Sequence, residues 1–286
     1  MSLVIFKNKK NIPSTSILIG ENKTKEEFIC ISNAKMKKED KIKSYEDPTN
    51  SIIPVPYLNL KDKQRSSVFI SGISGTGKST FAVNLIKQYR EIFLNQHKEE
   101  RKDYIEKLKK EDKPVPKLEP VKELPVFLFT GTSNPDPLFE KLKGCETVNI
   151  NGDKDFFNIK AEMLFSSIVV FDDFENTSNK MIKERTYGLL KQVLEVGRKL
   201  NISVIVITHQ TMNYRDTKFI LYEADSFVVF PATNPNSFSR FAKAYLDLEP
   251  DQIQKIIDES DSPFDFLLYR KTFPRYLQRS NRIELI

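Results

Sequence analysis

The sequence predicts an α/β fold: a mostly parallel central sheet flanked by helices, with a small β-containing region before it. Two observations carry this expectation. Residues 126–129, 168–171 and 204–207 are continuous apolar runs rather than alternating ones, as expected of strands covered on both faces. Between such runs lie segments of helical period. Phe81, Leu85, Ile92 and Phe93 follow one run, and Lys180–Leu200 separates two others.

Taken in order, the first 65 residues alternate short apolar stretches (3–6, 16–19, 27–31, 52–55) with Lys, Asn and Pro. They read as strands and loops, with a linker near 61–65 and no chemical motif. The chain is accordingly divided into 1–65 and 66–286. Ser67–Ser71 is a short apolar strand, followed by a glycine-rich turn and a helix. Residues 98–123 form a charged insertion with nine Lys or Arg against eight Asp or Glu. Its near-balanced charge suggests a solvated helix, and Pro114, Pro116 and Pro120 then force an extended exit. A fifth strand is expected at 226–230, a helix at Pro250–Asp258, and a last strand pair at 266–269 and 275–277.

The chain has 286 residues, 39% apolar and 29% charged, a soluble globular composition. Its apolar runs are far too short to span a bilayer, and its N-terminus lacks the apolar core of a secretory signal. No membrane association and a cytoplasm-like compartment are therefore expected, with Cys30 and Cys145 as free thiols. The net charge of +6 points only weakly to nucleic acid; where the charge sits matters more.

The chemistry begins at Gly72-Ile73-Ser74-Gly75-Thr76-Gly77-Lys78-Ser79, which fits G-x-x-x-x-G-K-[ST] in full. The glycines let successive backbone N–H groups turn toward phosphate oxygens, and the helix that starts here adds its positive end. Lys78 is expected at the β- and γ-phosphates of ATP and Ser79 on Mg²⁺; Thr80 completes the candidate ATP-binding set. The loop lies between an apolar strand and an amphipathic helix, the context this motif requires. These features specify a P-loop NTPase.

Residues 168–171 run into Asp172 and Asp173. A carboxylate at the end of a neighbouring strand can hold the Mg²⁺ water shell, the Walker B role, assigned to Asp172. Asp173 would then polarise the attacking water, with Glu175 as the rival base. The run 204–207 ends in Thr208, His209 and Gln210, and either His209 or Gln210 could sense the γ-phosphate or orient the water. Arg198 stands at the end of the preceding helix. It reads equally as an arginine finger offered to a neighbouring subunit and as a basic helix end favoured by the dipole.

The phosphate loop, then IVVFDDF, then VGRKLNISVIVITHQ resembles the FtsK–HerA superfamily of DNA-pumping ATPases. Within it the chain looks most like the genome-packaging ATPases of poxviruses, giant DNA viruses and virophages, whose tail pattern resembles ADSFVVFP. The resemblance covers roughly residues 66–280. Arg198 precedes His209 by eleven positions (209 − 198), the spacing of finger and sensor; the superfamily's Gln and Gly are His209 and Asn201 here. The resemblance implies a RecA-like sheet, ATP and Mg²⁺ bound at subunit boundaries of a homo-oligomeric ring, and translocation of double-stranded DNA into a capsid. It also implies a capsid vertex partner, and a location in host cytoplasm, viral factory or virion.

Three alternatives stay open: a helicase or conjugative pump of the same superfamily, a P-loop small-molecule kinase, and a non-catalytic nucleotide-binding assembly protein. Candidate DNA contacts lie in two segments that follow the catalytic strands. One is 176–185, with Lys180, Lys183 and Arg185; the other is 214–218, with Arg215 and Lys218. The competing interpretation of both is ordinary solvated surface.

Overall fold

Strands form where the sequence supplies unbroken apolar runs, and the computed structural model places them in two sheets. It describes residues 1–13, 15–32, 42–56, 66–212 and 217–286; the expected linker at 61–65 lies outside the described residues. The N-terminal part contains β1 (Ser2–Phe6), β2 (Ser16–Asn22), β3 (Glu27–Ser32), β4 (Ser44–Glu46) and β5 (Ile52–Pro54). A four-stranded antiparallel sheet has the order β1-β3-β2-β5.

The large sheet has ten strands. To β4 it adds β6 (Ser67–Ser71), β7 (Val126–Thr130), β8 (Cys145–Asn149), β9 (Ile168–Asp172), β10 (Ser203–Thr208) and β11 (Ser226–Val229). It is completed by β12 (Leu267–Arg270), β13 (Tyr276–Gln278) and β14 (Arg282–Leu285). Their order is β4-β14-β13-β12-β11-β6-β10-β9-β7-β8. Pairing is parallel from β11 to β8 and antiparallel from β11 to β4. The strands β4, β8 and β14 go beyond the sequence expectation. Each is short and polar, and β8 exposes Glu146 and Thr147 at the sheet edge, so no apolar run marks them.

The helices are α1 (Lys78–Lys110), α2 (Pro137–Glu140), α3 (Lys180–Leu200), α4 (Lys218–Glu223), α5 (Pro235–Phe241) and α6 (Pro250–Asp258). Alternate strand residues feed two cores. Phe69, Phe129, Phe171, Val206 and Phe227 pack with Leu189, Leu190 and Val193 of α3 and with the faces of α4 to α6. Ile70, Leu128, Val170, Ile205 and Val228 pack with Ala82, Leu85, Ile86 and Tyr89 of α1. Leu3, Ile19, Ile29 and Ile52 join this second core, so the small sheet lies on the α1 face.

α1 is one helix of 33 residues and absorbs the first part of the charged insertion. No Gly or Pro interrupts residues 78–113, and strong helix formers carry it into solvent beyond the buried Arg90. It ends shortly before Pro114, as proline requires. α3 has the expected bounds. The Asn179 side chain accepts from the amides of Met181 and Ile182, and Asn201 at φ 55 caps its end. Cys30 is buried and Cys145 half-buried, both as free thiols. No helix among the described residues is long and apolar enough to cross a membrane.

Candidate active site

The Gly72–Ser79 segment joins β6 to α1. Gly75 and Gly77 take φ of 81° and 87°, the left-handed region where a side chain is strained. Gly77 caps α1 without a side chain, and the first turn carries no acid. The opening amides of the helix therefore face the concave side of the loop, an arrangement suited to phosphate. Gly72 is needed for another reason: a Cβ there would lie 2.8 Å from both Phe230 and Thr76. Thr76 Oγ1 and Lys78 Nζ both donate to the Ile73 carbonyl, at 3.0 and 2.9 Å. Ile73, Ser74, Gly75 and Thr80 are exposed, and Ser79 is half-buried.

Sheet order brings the acids to this loop. β10 lies between β6 and β9, pairing Thr208 with Ser71 and Ile207 with Asp172. The loop, the acids and His209 thus share the C-terminal edge of the parallel strands. Asp172 is 9% exposed. Burial and the neighbouring Asp173 push its carboxyl up to about 7, although Lys78 pulls it down. Lys78, 8% exposed, has its ammonium pKa lowered by burial, partly offset by Asp172 and Asp173. Buried opposite charges at one strand edge are poised to stabilise a bound anion and its counter-cation.

Asp173 follows β9 at φ 50, a conformation that turns its side chain out of the strand. His209 Nε2 lies 2.7 Å from Asp173 Oδ1. His209 rather than Gln210 therefore meets the candidate base; the Gln210 carbonyl instead accepts from Thr208 Oγ1 at 2.9 Å. Glu175 is half-buried in the turn after β9.

Comparison with known proteins gives distant likenesses. No protein-family model matches the chain. It is 24% identical over 253 residues to "Uncharacterized protein V3" of Sputnik virophage, covering 88% of this chain and 87% of that protein. Among solved structures it is similar to the genome packaging NTPase B204 of Sulfolobus turreted icosahedral virus 2 in complex with AMPPCP. That likeness has a TM-score of 0.41 and 14% identity, covering 77% of this chain and 97% of the other. It is also similar to EssC (ATPases 2 and 3) from Geobacillus thermodenitrificans, with a TM-score of 0.40 and 14% identity, covering 85% of this chain and 43% of that one.

The remaining sequence candidates scatter. Arg198 is exposed in the last turn of α3. That turn lies at the opposite sheet edge, since the Ser166 amide, just before β9, donates to the Leu200 carbonyl at 2.9 Å. Lys180, Lys183 and Arg185 belong to the opening turns of α3 rather than to a loop, because the Asn179 cap starts the helix there. Lys180 lies 3.8 Å from Glu184, and Lys183 stands over the Tyr187 ring. Arg185 turns inward: its guanidinium donates to the Ile159 carbonyl and covers the Phe156 ring. Lys218 begins α4, and Arg215 lies outside the described residues.

Three positions at this edge were not singled out from the sequence. Asp136 caps α2 by accepting from the Leu138 amide at 3.0 Å, and its charge also raises Asp172. Asn151 Nδ2 donates to the carbonyls of Gly131 and Asn176 at 2.6 and 3.1 Å, tying the loops after β7 and β9 together. Gly131 is required beside it, because a Cβ there would lie 2.7 Å from the Asp173 carbonyl. A glycine ending an apolar run was the available signal; the polar partners carried none.

Proposed function

We propose that this protein is a Mg²⁺-dependent ATPase that acts as a ring and translocates double-stranded DNA into a viral capsid. The observation that carries the ATPase part is the convergence of Lys78 and Asp172, both buried, at the strand edge that carries the glycine loop. DNA packaging is supported by the motif order around Asp172, Arg198 and His209, and a viral setting by a 24%-identical relative from a virophage.

Among the described residues no cluster of three or more His, Cys, Asp or Glu is placed to hold a metal ion unaided. A carboxylate and a hydroxyl beside a phosphate cradle suit Mg²⁺, which prefers few protein oxygens and shared phosphates. Ser79 and Asp172 would hold it, and the ion would neutralise charge building on the phosphate oxygens. Lys78 places its charge on the same oxygens. Asp173 accepts a proton from the attacking water, while His209 fixes the orientation of that carboxylate.

The test is steady-state ATP hydrolysis by wild type and Lys78→Ala, each with and without double-stranded DNA. Wild type should turn over ATP faster with DNA, and Lys78→Ala should lose about 100-fold or more. Undiminished turnover in the variant would remove the phosphate-loop assignment. Turnover indifferent to DNA would remove the translocase.

A further inference from the structure

The helix that leaves the phosphate loop forms part of a groove of about 240 Å³ whose walls include Phe81, Asn84 and Phe266 on one side and Asn50, Ile53 and Pro54 on the other. Its wall on α1 starts at Phe81, two residues beyond Ser79. One wall is aromatic: Phe81 and Phe266 meet edge to face with centroids 5.0 Å apart. The opposite wall is β5 and its approach, from the N-terminal region. That wall is fixed in place by backbone bonds to the C-terminal hairpin, Asp47 amide to Asn281 carbonyl at 2.8 Å and Ile52 amide to Ser280 carbonyl at 2.9 Å.

Another large ring lies two residues before Phe266 in the chain. Phe264 is 64% exposed, so its ring face is open to a ligand. A tight turn presents it: the Ser262 carbonyl accepts from the Asp265 amide, and Ser262 Oγ accepts from the Phe264 amide at 3.2 Å. Its ring lies against the phosphate loop, 3.7 Å from where a Cβ on Gly77 would stand.

We infer that this groove is the base subsite of the nucleotide, holding a purine between the Phe81–Phe266 wall and the β5 wall, with Phe264 stacking at its mouth. The inference rests on the phosphate-loop assignment above and deepens it. An apolar slot with a few polar groups at its lip is the usual form of such a subsite, and aromatic faces accept purines by stacking. Asn84 supplies an amide, whose donor and acceptor pair matches the edge of adenine. The N-terminal region thereby becomes part of the nucleotide site.

The chain has no tryptophan, so Phe264→Trp introduces a single fluorescent reporter at an exposed position. ATP should quench its emission by stacking, whereas inorganic tripolyphosphate, which fills only the phosphate loop, should not. In a second full-length variant, Asn84→Phe fills the groove from an exposed helix position. Its affinity for ATP should fall about tenfold or more, with tripolyphosphate affinity unchanged. The subsite is overturned if Phe264→Trp responds equally to both ligands, or if Asn84→Phe binds ATP like wild type. Failure of wild type to bind either ligand would instead remove the phosphate-loop assignment, and the subsite with it.

Discussion

The 2.7 Å contact between His209 and Asp173 makes one unit of two residues that follow different strands. If Asp173 is the base, Asp173→Asn keeps the size and the contact but cannot take a proton. Turnover should then fall about 100-fold or more while ATP binding stays near wild type. Glu175→Gln should leave turnover largely intact; the reverse pattern in a single-turnover assay would move the base to Glu175. His209→Ala should cost about tenfold, the worth of one hydrogen bond to a charged group. A different residue governs acid stability. Asp47 is fully buried; Thr49 Oγ1 donates to it at 2.5 Å and Lys25 lies 3.1 Å away. The Thr49 bond first, and Lys25 with it, lower its carboxyl from 3.8 to about 2. The folded pKa is the lower one, so this stabilisation is present above pH 3.8 and is lost as pH falls through about 2. Asp47→Asn should therefore be less stable than wild type at pH 7, with the gap narrowing below pH 4 and closing near pH 2 in urea unfolding.

At the scale of elements, α3 shows how one helix serves two purposes. Its buried face, with Leu189, Leu190, Val193 and Leu194, was legible from period alone, and Asn179 and Asn201 mark its ends. What the sequence did not separate was the basic cluster at its start. Lys180 is exposed and Lys183 half-buried, while Arg185 anchors the segment before β9 through Ile159 and Phe156. Arg185→Ala should thus destabilise the fold by ~1–3 kcal/mol, because the Ile159 carbonyl loses its donor; thermal unfolding checks this. Lys180→Ala with Lys183→Ala should leave stability within about 0.5 kcal/mol. If α3 grips DNA, that double variant should lower the salt slope of DNA binding by up to about two counterions. An unchanged slope would remove this helix end from the interface.

Across the whole molecule, Arg198 is separated from its own phosphate loop by the length of the sheet, roughly 16 Å for a five-residue strand. An arginine there can reach a γ-phosphate only in a neighbouring copy. If Arg198 is a finger acting between subunits of a ring, mixtures of Arg198→Ala with Lys78→Ala subunits should regain part of the activity that each variant lacks alone. Where an intact Lys78 site meets an intact Arg198, the boundary is complete. No recovery at any ratio, in rings shown to contain both subunits, would return Arg198 to the role of a basic helix end.

The sequence by itself determined what local rules encode. The glycines and Lys78 define the loop, because phosphate binding needs that backbone geometry at that spacing. The core strands β6, β7, β9, β10 and β11 are marked by unbroken apolar runs, because both their faces are buried. Tertiary structure decided the rest. The short strands β4 and β8 at the two sheet edges, and β14 beside β4, exist because a neighbouring strand pairs their backbone, whatever their side chains. Asp173 meets His209 only because β10 is inserted between β6 and β9. The N-terminal residues wall the groove beside Phe81 because β4 pairs with β14, further backbone bonds tie residues 47 and 52 to the C-terminal hairpin, and the small sheet packs on α1. Each of these depends on the order and register of strands far apart in the chain, and no local periodicity carries that order.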